Sequence, residues 1–174
     1  MNYFEFYELP VSFLLEASVV KKRFLQLSKQ YHPDFYTLES AEKQAEILEK
    51  STMNTNAFKT LSNFDARMKY VLGLKGVLDE EGQAKLPQDF LMEMMDVNEE
   101  LMELEFDNDP TKVEVIKNTV QGLENELYAQ VSKILEDYDE KNSSSEELET
   151  VKDYYYKKRY LLRIRENLNK FAAR

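Results

Sequence analysis

Two long helix-like segments separated by a short break most constrain the fold of this chain. Ser18–Tyr31 is a basic amphipathic segment, and Ser40–Leu61 is a polar stretch without Gly or Pro. The tripeptide His32-Pro33-Asp34 stands between them. Pro33 lacks an N–H and disfavours a helical conformation of His32, so the first helix should stop there. The sequence therefore predicts an antiparallel helical hairpin, with His32 on an exposed bend and Asp34 accepting backbone N–H bonds in the turn.

The first arm of this hairpin combines an apolar stripe with a basic face. At helical spacing, the apolar stripe consists of Val20, Phe24, Leu27 and Tyr31. The opposite and flanking positions are Lys21, Lys22, Arg23, Gln26 and Lys29. Four cations and no anion in this stretch contrast with the net charge of −10 of the whole chain. A positive patch on a negative protein suggests an acidic protein partner rather than nucleic acid or anionic lipid.

These residues resemble the J-domain, the module by which co-chaperones stimulate the ATPase of a DnaK-class chaperone. The resemblance is carried by Phe24, Leu27, Tyr31, His32-Pro33-Asp34 and the Ala57-Phe58…Leu61 end of the second arm, with Asn2–Pro10 similar to the short first helix. The chaperone-binding residues that we expect are His32, Pro33, Asp34, Lys22, Arg23 and Lys29. One departure from the pattern is Phe35, because a Lys commonly follows the tripeptide.

The rest of the chain resembles the HscB type of J-protein, which acts in iron–sulfur cluster biogenesis. Ser62–Leu72 is similar to the way that type leaves its J-domain, and Leu86–Glu93 is similar to the start of its C-terminal helical bundle. The resemblance implies that this bundle binds an iron–sulfur cluster scaffold protein.

Glycines and breaks indicate the domain organisation. Gly73, Gly76 and Gly82 form the one Gly-rich stretch, where we place the domain boundary. We expect a J-domain over residues 1–75, a Gly-containing linker over 76–85 and a scaffold-binding three-helix bundle over 86–174.

The breaks inside the bundle predict where its helices start. Asp109 is expected to cap the middle helix, with Pro110 at its first position, and Ser145 to cap the last. No strand-like alternation continues beyond a few residues, so the predicted fold is all-α.

The helix predicted from about Pro87 to Phe106 carries more apolar residues than a bundle needs. One adequate core stripe is Phe90, Met94, Val97, Leu101 and Leu104. A second group lies 100 to 140 degrees or more away and includes Leu91, Met92, Met95 and Met102. The pattern leaves two interpretations open: a helix buried between two others, or an exposed Met-rich binding face. The resemblance favours the face and implies scaffold-binding residues Leu91, Met92, Met95, Asp96, Glu99 and Tyr160.

The two last helices differ in character. We predict that the middle helix has a core stripe that consists of Val113, Ile116, Val120, Leu123, Leu127, Ile134 and Tyr138. In the last helix, residues 157–165 hold five cations, no anion and Tyr160. An RNA-binding interpretation is open, but the net charge and the absence of a recognisable RNA-binding motif favour pairing with the acidic neighbouring helices.

Composition excludes several classes of function. No Cys is present, which excludes disulfides, thiolate catalysis and iron–sulfur ligation by Cys, and a single His leaves no plausible zinc site. No run approaches a membrane span, so a cytoplasmic setting without membrane or nucleic-acid partners is expected. His32 has no recognisable nucleophile or orienting partner, so we predict neither catalysis by this chain nor a cofactor.

Two functions from different classes remain. The first is a co-chaperone that delivers an IscU-type scaffold to a DnaK/HscA-class ATPase. The second is an adaptor, either a J-protein for a different client or an acidic helical protein with an inactive J-domain. The intact His32-Pro33-Asp34 argues against inactivity. A pull-down would separate the two, because the first requires both a cluster scaffold and an ATPase chaperone.

Overall fold

The structure is a computed structural model that describes residues 1–80 and 82–172, and none of these residues lies in a β-strand. The all-α prediction is therefore confirmed. The helices are α1 (Tyr3–Tyr7), α2 (Ala17–Gln30), α3 (Ala41–Ser62), α4 (Phe64–Leu74), α5 (Gln88–Phe106), α6 (Pro110–Asp137) and α7 (Ser145–Ala172), with a one-turn 3₁₀ helix at Pro33–Tyr36. The chain folds as two compact units, the first being Met1–Gly76 with Tyr138–Ser143 and the second Val77–Asp137 with Ser144–Arg174.

The predicted hairpin of α2 and α3 forms the centre of the first unit. In α2, Val20 and Leu27 are buried and Phe24 is half-buried, with its ring stacked at 4.3 Å on that of Phe58. The short helix α1 begins with a capping box, in which Asn2 and Glu5 each accept a hydrogen bond from the other's backbone N–H.

A buried amide joins the first three helices of this unit. Asn54 of α3 is 2% exposed, and its side-chain oxygen accepts a 2.9 Å hydrogen bond from the Tyr7 hydroxyl of α1. Its nitrogen donates to the Phe24 carbonyl at 3.1 Å and to the Ser28 hydroxyl at 3.0 Å, both in α2. Burial raises the pKa of Tyr7, which keeps its hydroxyl protonated as a donor.

A buried guanidinium fixes the position of α4. Arg67 donates from Nε to the Phe13 carbonyl at 2.8 Å and from Nη1 to the Leu61 carbonyl near the end of α3. Desolvation lowers the pKa of Arg67, and the two carbonyls offset that penalty. Residues 138–143 complete this unit, with Tyr138 edge-on to Phe13 at 4.8 Å between ring centroids and Glu140 bound to Lys75 at 2.6 Å.

In the second unit, α5, α6 and α7 pack around an apolar core. Its buried members are Phe90, Met94, Val97, Leu101, Leu104, Val113, Ile116, Val120, Leu161, Ile164 and Leu168. The predicted core stripe of α5 is therefore confirmed. Further along α6, Val131 and Leu135 are buried, whereas Ile134 is only half-buried, so the predicted stripe was wrong there. The buried positions in this part of α6, Val131 and Leu135, are four residues apart. They replace the predicted positions Ile134 and Tyr138, of which Tyr138 lies beyond the end of the helix.

The helix caps agree with the sequence at one break and not at the other. Asp109 accepts from the backbone N–H of Thr111 at 2.8 Å and α6 begins at Pro110, as predicted. At the second break the predicted cap, Ser145, is wrong. Ser144 takes that position, because its hydroxyl accepts from the N–H of Glu147 at 3.1 Å while the Glu147 carboxylate accepts from the N–H of Ser144.

Replacing Asn54 by Ala is expected to destabilise the first unit by about 1–3 kcal/mol, because it removes hydrogen bonds from buried partners. The change Asn56→Ala is a matched control, since Asn56 lies exposed on the same helix. It should alter the free energy of unfolding by less than about 0.5 kcal/mol. Urea unfolding followed by circular dichroism measures both, and equal effects would contradict the assignment of Asn54 as a structural link.

Candidate functional site

The tip of the hairpin presents His32 on a fixed bend. Helix α2 ends at Gln30, and His32 has an extended backbone (φ −75°, ψ 119°) immediately before the 3₁₀ turn that Pro33 begins. The His32 ring accepts at Nδ1 from the backbone N–H of Asp34 at 3.3 Å, and its side chain is half-exposed. The prediction that Asp34 would accept backbone N–H bonds is therefore wrong. His32 precedes the turn and takes the capping role, while the Asp34 carboxylate extends into solvent.

The tip also exposes apolar side chains. Phe35 is 72% exposed with its ring 5.2 Å from that of His32, and Leu38 is fully exposed. Where a Lys commonly follows the tripeptide, this chain offers an aromatic surface beside the imidazole instead.

The cations on the basic face of α2 differ in their surroundings: the lysines are exposed to solvent, and the arginine is paired with a carboxylate. Lys22 and Lys29 are exposed, and with Leu25 and Gln26 they line a shallow groove. Arg23, by contrast, is largely buried, where it forms an ion pair with Glu8, the residue that follows α1. The structure therefore leaves Lys22 and Lys29 exposed along one groove, while Arg23 attaches α2 to the end of α1.

In the second unit, α5 carries an exposed apolar face opposite its core stripe. Leu91, Met92, Met95 and Met102 are between 41% and 64% exposed, whereas the neighbouring Met94 is fully buried. Of the two interpretations left open by the pattern, the structure shows the exposed face.

Tyr160 joins this face from α7. Its ring lies edge-on to Phe90 with 5.7 Å between ring centroids, and its hydroxyl accepts from the Asn98 amide at 2.8 Å. Asn98 stands two turns after Leu91 and one turn after Met95, so it lies on the same side of α5. Sequence reasoning missed Asn98, although its seven-residue spacing from Leu91 was a usable signal. The packing of α7 against α5, which Tyr160 requires, is present.

The charges around this face are mainly negative, while α7 supplies cations elsewhere in the unit. Asp96 and Glu99 are exposed on α5 next to the apolar residues. In α7, the Lys157 ammonium lies 5.7 Å from the centre of the Phe90 ring, and Arg165 pairs with Glu124 of α6 at 2.6 Å. The predicted pairing of the basic segment with an acidic helix is confirmed at Arg165.

Neither a cluster of three metal-ligating side chains nor a membrane-spanning helix occurs among the described residues. Over residues 1–80 and 82–172, no three acidic or imidazole side chains approach closely enough to hold a metal ion together. In the same ranges, no helix has the length and apolar character that crossing a bilayer requires.

Comparison with known proteins decides the family. Residues 86–169 match the family model of the HSCB C-terminal oligomerisation domain. The "Co-chaperone protein HscB homolog" of Vibrio cholerae is 32% identical over 133 residues, which cover 75% of this chain and 78% of that protein. The chain belongs to the HscB family of co-chaperones. The resemblance found in the sequence, to HscB-type co-chaperones of iron–sulfur cluster biogenesis, is thus confirmed.

Solved HscB structures have the same fold. The crystal structure of the human co-chaperone protein HscB is 27% identical, covers 97% of this chain and 81% of its own, and superposes with a TM-score of 0.79. The HscB chaperone from Vibrio cholerae covers 99% of this chain and 98% of its own with a TM-score of 0.76, and at 24% identity it shows the fold alone.

The exposure of the α5 methionines can be checked without any partner. Under mild hydrogen peroxide, Met92, Met95 and Met102 should oxidise readily, since thioether oxidation follows solvent access. Met94 and Met68, both fully buried, are internal controls and should oxidise last. Peptide mass spectrometry resolves these sites, and equal rates for Met94 and Met95 would contradict the exposed face.

Proposed function

We propose that this HscB-family protein stimulates the ATPase of a DnaK/HscA-class chaperone and delivers an IscU-type iron–sulfur cluster scaffold to it. The observation that carries the proposal is the exposed cluster of Leu91, Met92 and Met95 beside Tyr160. This cluster lies outside the core of the unit that holds it. Large apolar side chains left exposed together are typical of a protein-binding surface.

The chaperone would bind at the hairpin tip and the basic face of α2. The bend at Pro33 holds His32 at the end of α2 without burying it, and Lys22 and Lys29 extend the surface along the helix. Exposed charge pairs contribute at most about 1 kcal/mol each, so the lysines would favour encounter and orientation. Hydrolysis of ATP would be carried out by the chaperone.

The scaffold would bind at the α5 face. Unbranched methionine side chains adapt their shape to a partner, which suits a protein-binding surface. Tyr160 adds a rigid element, because its hydroxyl bond to Asn98 and its edge contact with Phe90 hold the ring in place. Asp96 and Glu99 would form the polar rim.

The change His32→Gln is expected to abolish stimulation of the chaperone ATPase, since His32 is half-exposed at the tip and outside the core. Scaffold affinity should be unchanged, and the free energy of unfolding should fall by no more than about 1 kcal/mol, the typical cost of losing one capping hydrogen bond. Lys59→Ala, an exposed change on α3, is the control and should preserve stimulation. Steady-state ATPase assays measure the effect, and a large loss of stability in the His32 variant would show a structural role instead.

The combined change Leu91→Ala, Met92→Ala, Tyr160→Ala is expected to weaken scaffold binding by at least about a hundredfold. Apolar anchors typically contribute on the order of 1–2 kcal/mol or more each. The control pair Val115→Ala, Leu162→Ala removes exposed apolar side chains from α6 and α7 and should bind normally. Calorimetry with purified scaffold gives the affinities, while basal ATPase stimulation should survive in both variants. Unchanged binding by the triple variant would refute the assignment of this face.

A further inference from the structure

The exposed apolar face of α5 is longer than the residues predicted to bind the scaffold. Met102 is 64% exposed and Phe106 is 90% exposed, and neither belongs to the core of the bundle. On an ideal helix Leu91, Met95, Met102 and Phe106 fall within about 60 degrees of one another. They extend over about 22 Å, because each residue adds about 1.5 Å to the length of the helix.

The charges along the same helix have one sign. Between Gln88 and Phe106 the sequence has no Lys or Arg, and its seven carboxylates are all exposed: Asp89, Glu93, Asp96, Glu99, Glu100, Glu103 and Glu105. From α6, Lys112 approaches Glu103 at 3.9 Å. Such a surface attracts cations and repels other acidic surfaces.

The combination of an apolar stripe with negative charges on the same helix limits which kinds of molecule can bind the face. A second copy of the chain that paired through the same helix would bring an equally acidic surface against the first, and nucleic acids and anionic lipid surfaces would be repelled in the same way. A partner segment that is both apolar and rich in Lys or Arg fits the stripe and its rim together. Over about 22 Å it would extend for about fifteen residues as a helix or about seven as a strand.

We propose that the whole face from Leu91 to Phe106 binds a cationic, apolar segment of the client protein, with Met102 and Phe106 as anchors of its second half. This inference rests on the proposed function and deepens it, since it assigns the chemistry of the scaffold segment. Phe106, the last residue of α5, would place an aromatic ring at the far end of the contact.

The experiment measures the affinity of the full chain for purified IscU-type scaffold at low and high salt. The double change Met102→Ala, Phe106→Ala should weaken binding at least about tenfold, as expected for the loss of two apolar anchors. The double change Glu99→Lys, Glu103→Lys should weaken scaffold binding and make the affinity less dependent on salt concentration. The control Glu114→Lys, Glu136→Lys makes the same change in net charge at exposed positions of α6 and should leave affinity unchanged.

Leu91→Ala separates this inference from the proposed function. If Leu91→Ala weakens binding while Met102→Ala, Phe106→Ala does not, the extended face is wrong and the proposed function stands. If neither variant changes affinity, scaffold binding by α5 fails together with the extension. Light scattering tests whether the chain associates with itself. If it does, and if Met102→Ala, Phe106→Ala abolishes that association, a second copy occupies the face and the inference is overturned.

Discussion

The geometry of the first unit depends on the buried amide of Asn54. The hydrophobic effect is non-directional, so it brings α1, α2 and α3 together without by itself specifying one register. An amide has fixed donor and acceptor directions, and Asn54 meets Tyr7, Phe24 and Ser28 together in one register. That register sets where the end of α2 stands relative to α3, and therefore where His32 is presented. One polar side chain thus decides the placement of a surface that begins about one helical turn beyond Ser28.

The features predicted from the sequence are those that local spacing determines. The hairpin follows from the conformational limits of Pro33, and the start of α6 from Asp109 followed by Pro110. The core stripe of α5 follows from helical periodicity, because its members are three or four residues apart whatever the rest of the chain does. The functional prediction for these helices came from the family resemblance, because periodicity alone predicts structure and not function.

The features that the sequence could not supply depend on residues far apart in the chain. Whether the second stripe of α5 is buried depends on how much of α5 the other two helices cover, and spacing within α5 does not contain that information. The partner of Tyr160 is Asn98, in another helix, and Arg23 was grouped with Lys22 and Lys29 because nothing nearby indicated its pairing with Glu8. Ser144 and Ser145 are chemically equivalent caps, so the choice between them follows from where α7 begins.

The first unit is discontinuous along the chain, and this has a consequence for how it is made. Residues 1–76 leave the ribosome early, but Tyr138, which packs on Phe13, appears only after α5 and α6 have been translated. Contacts between distant parts of a chain form late because closing the intervening loop is entropically unfavourable. A fragment that stops after α4 is therefore an incomplete version of the unit, with one side of Phe13 uncovered. During synthesis, the hairpin tip can form well before the unit that carries it is finished.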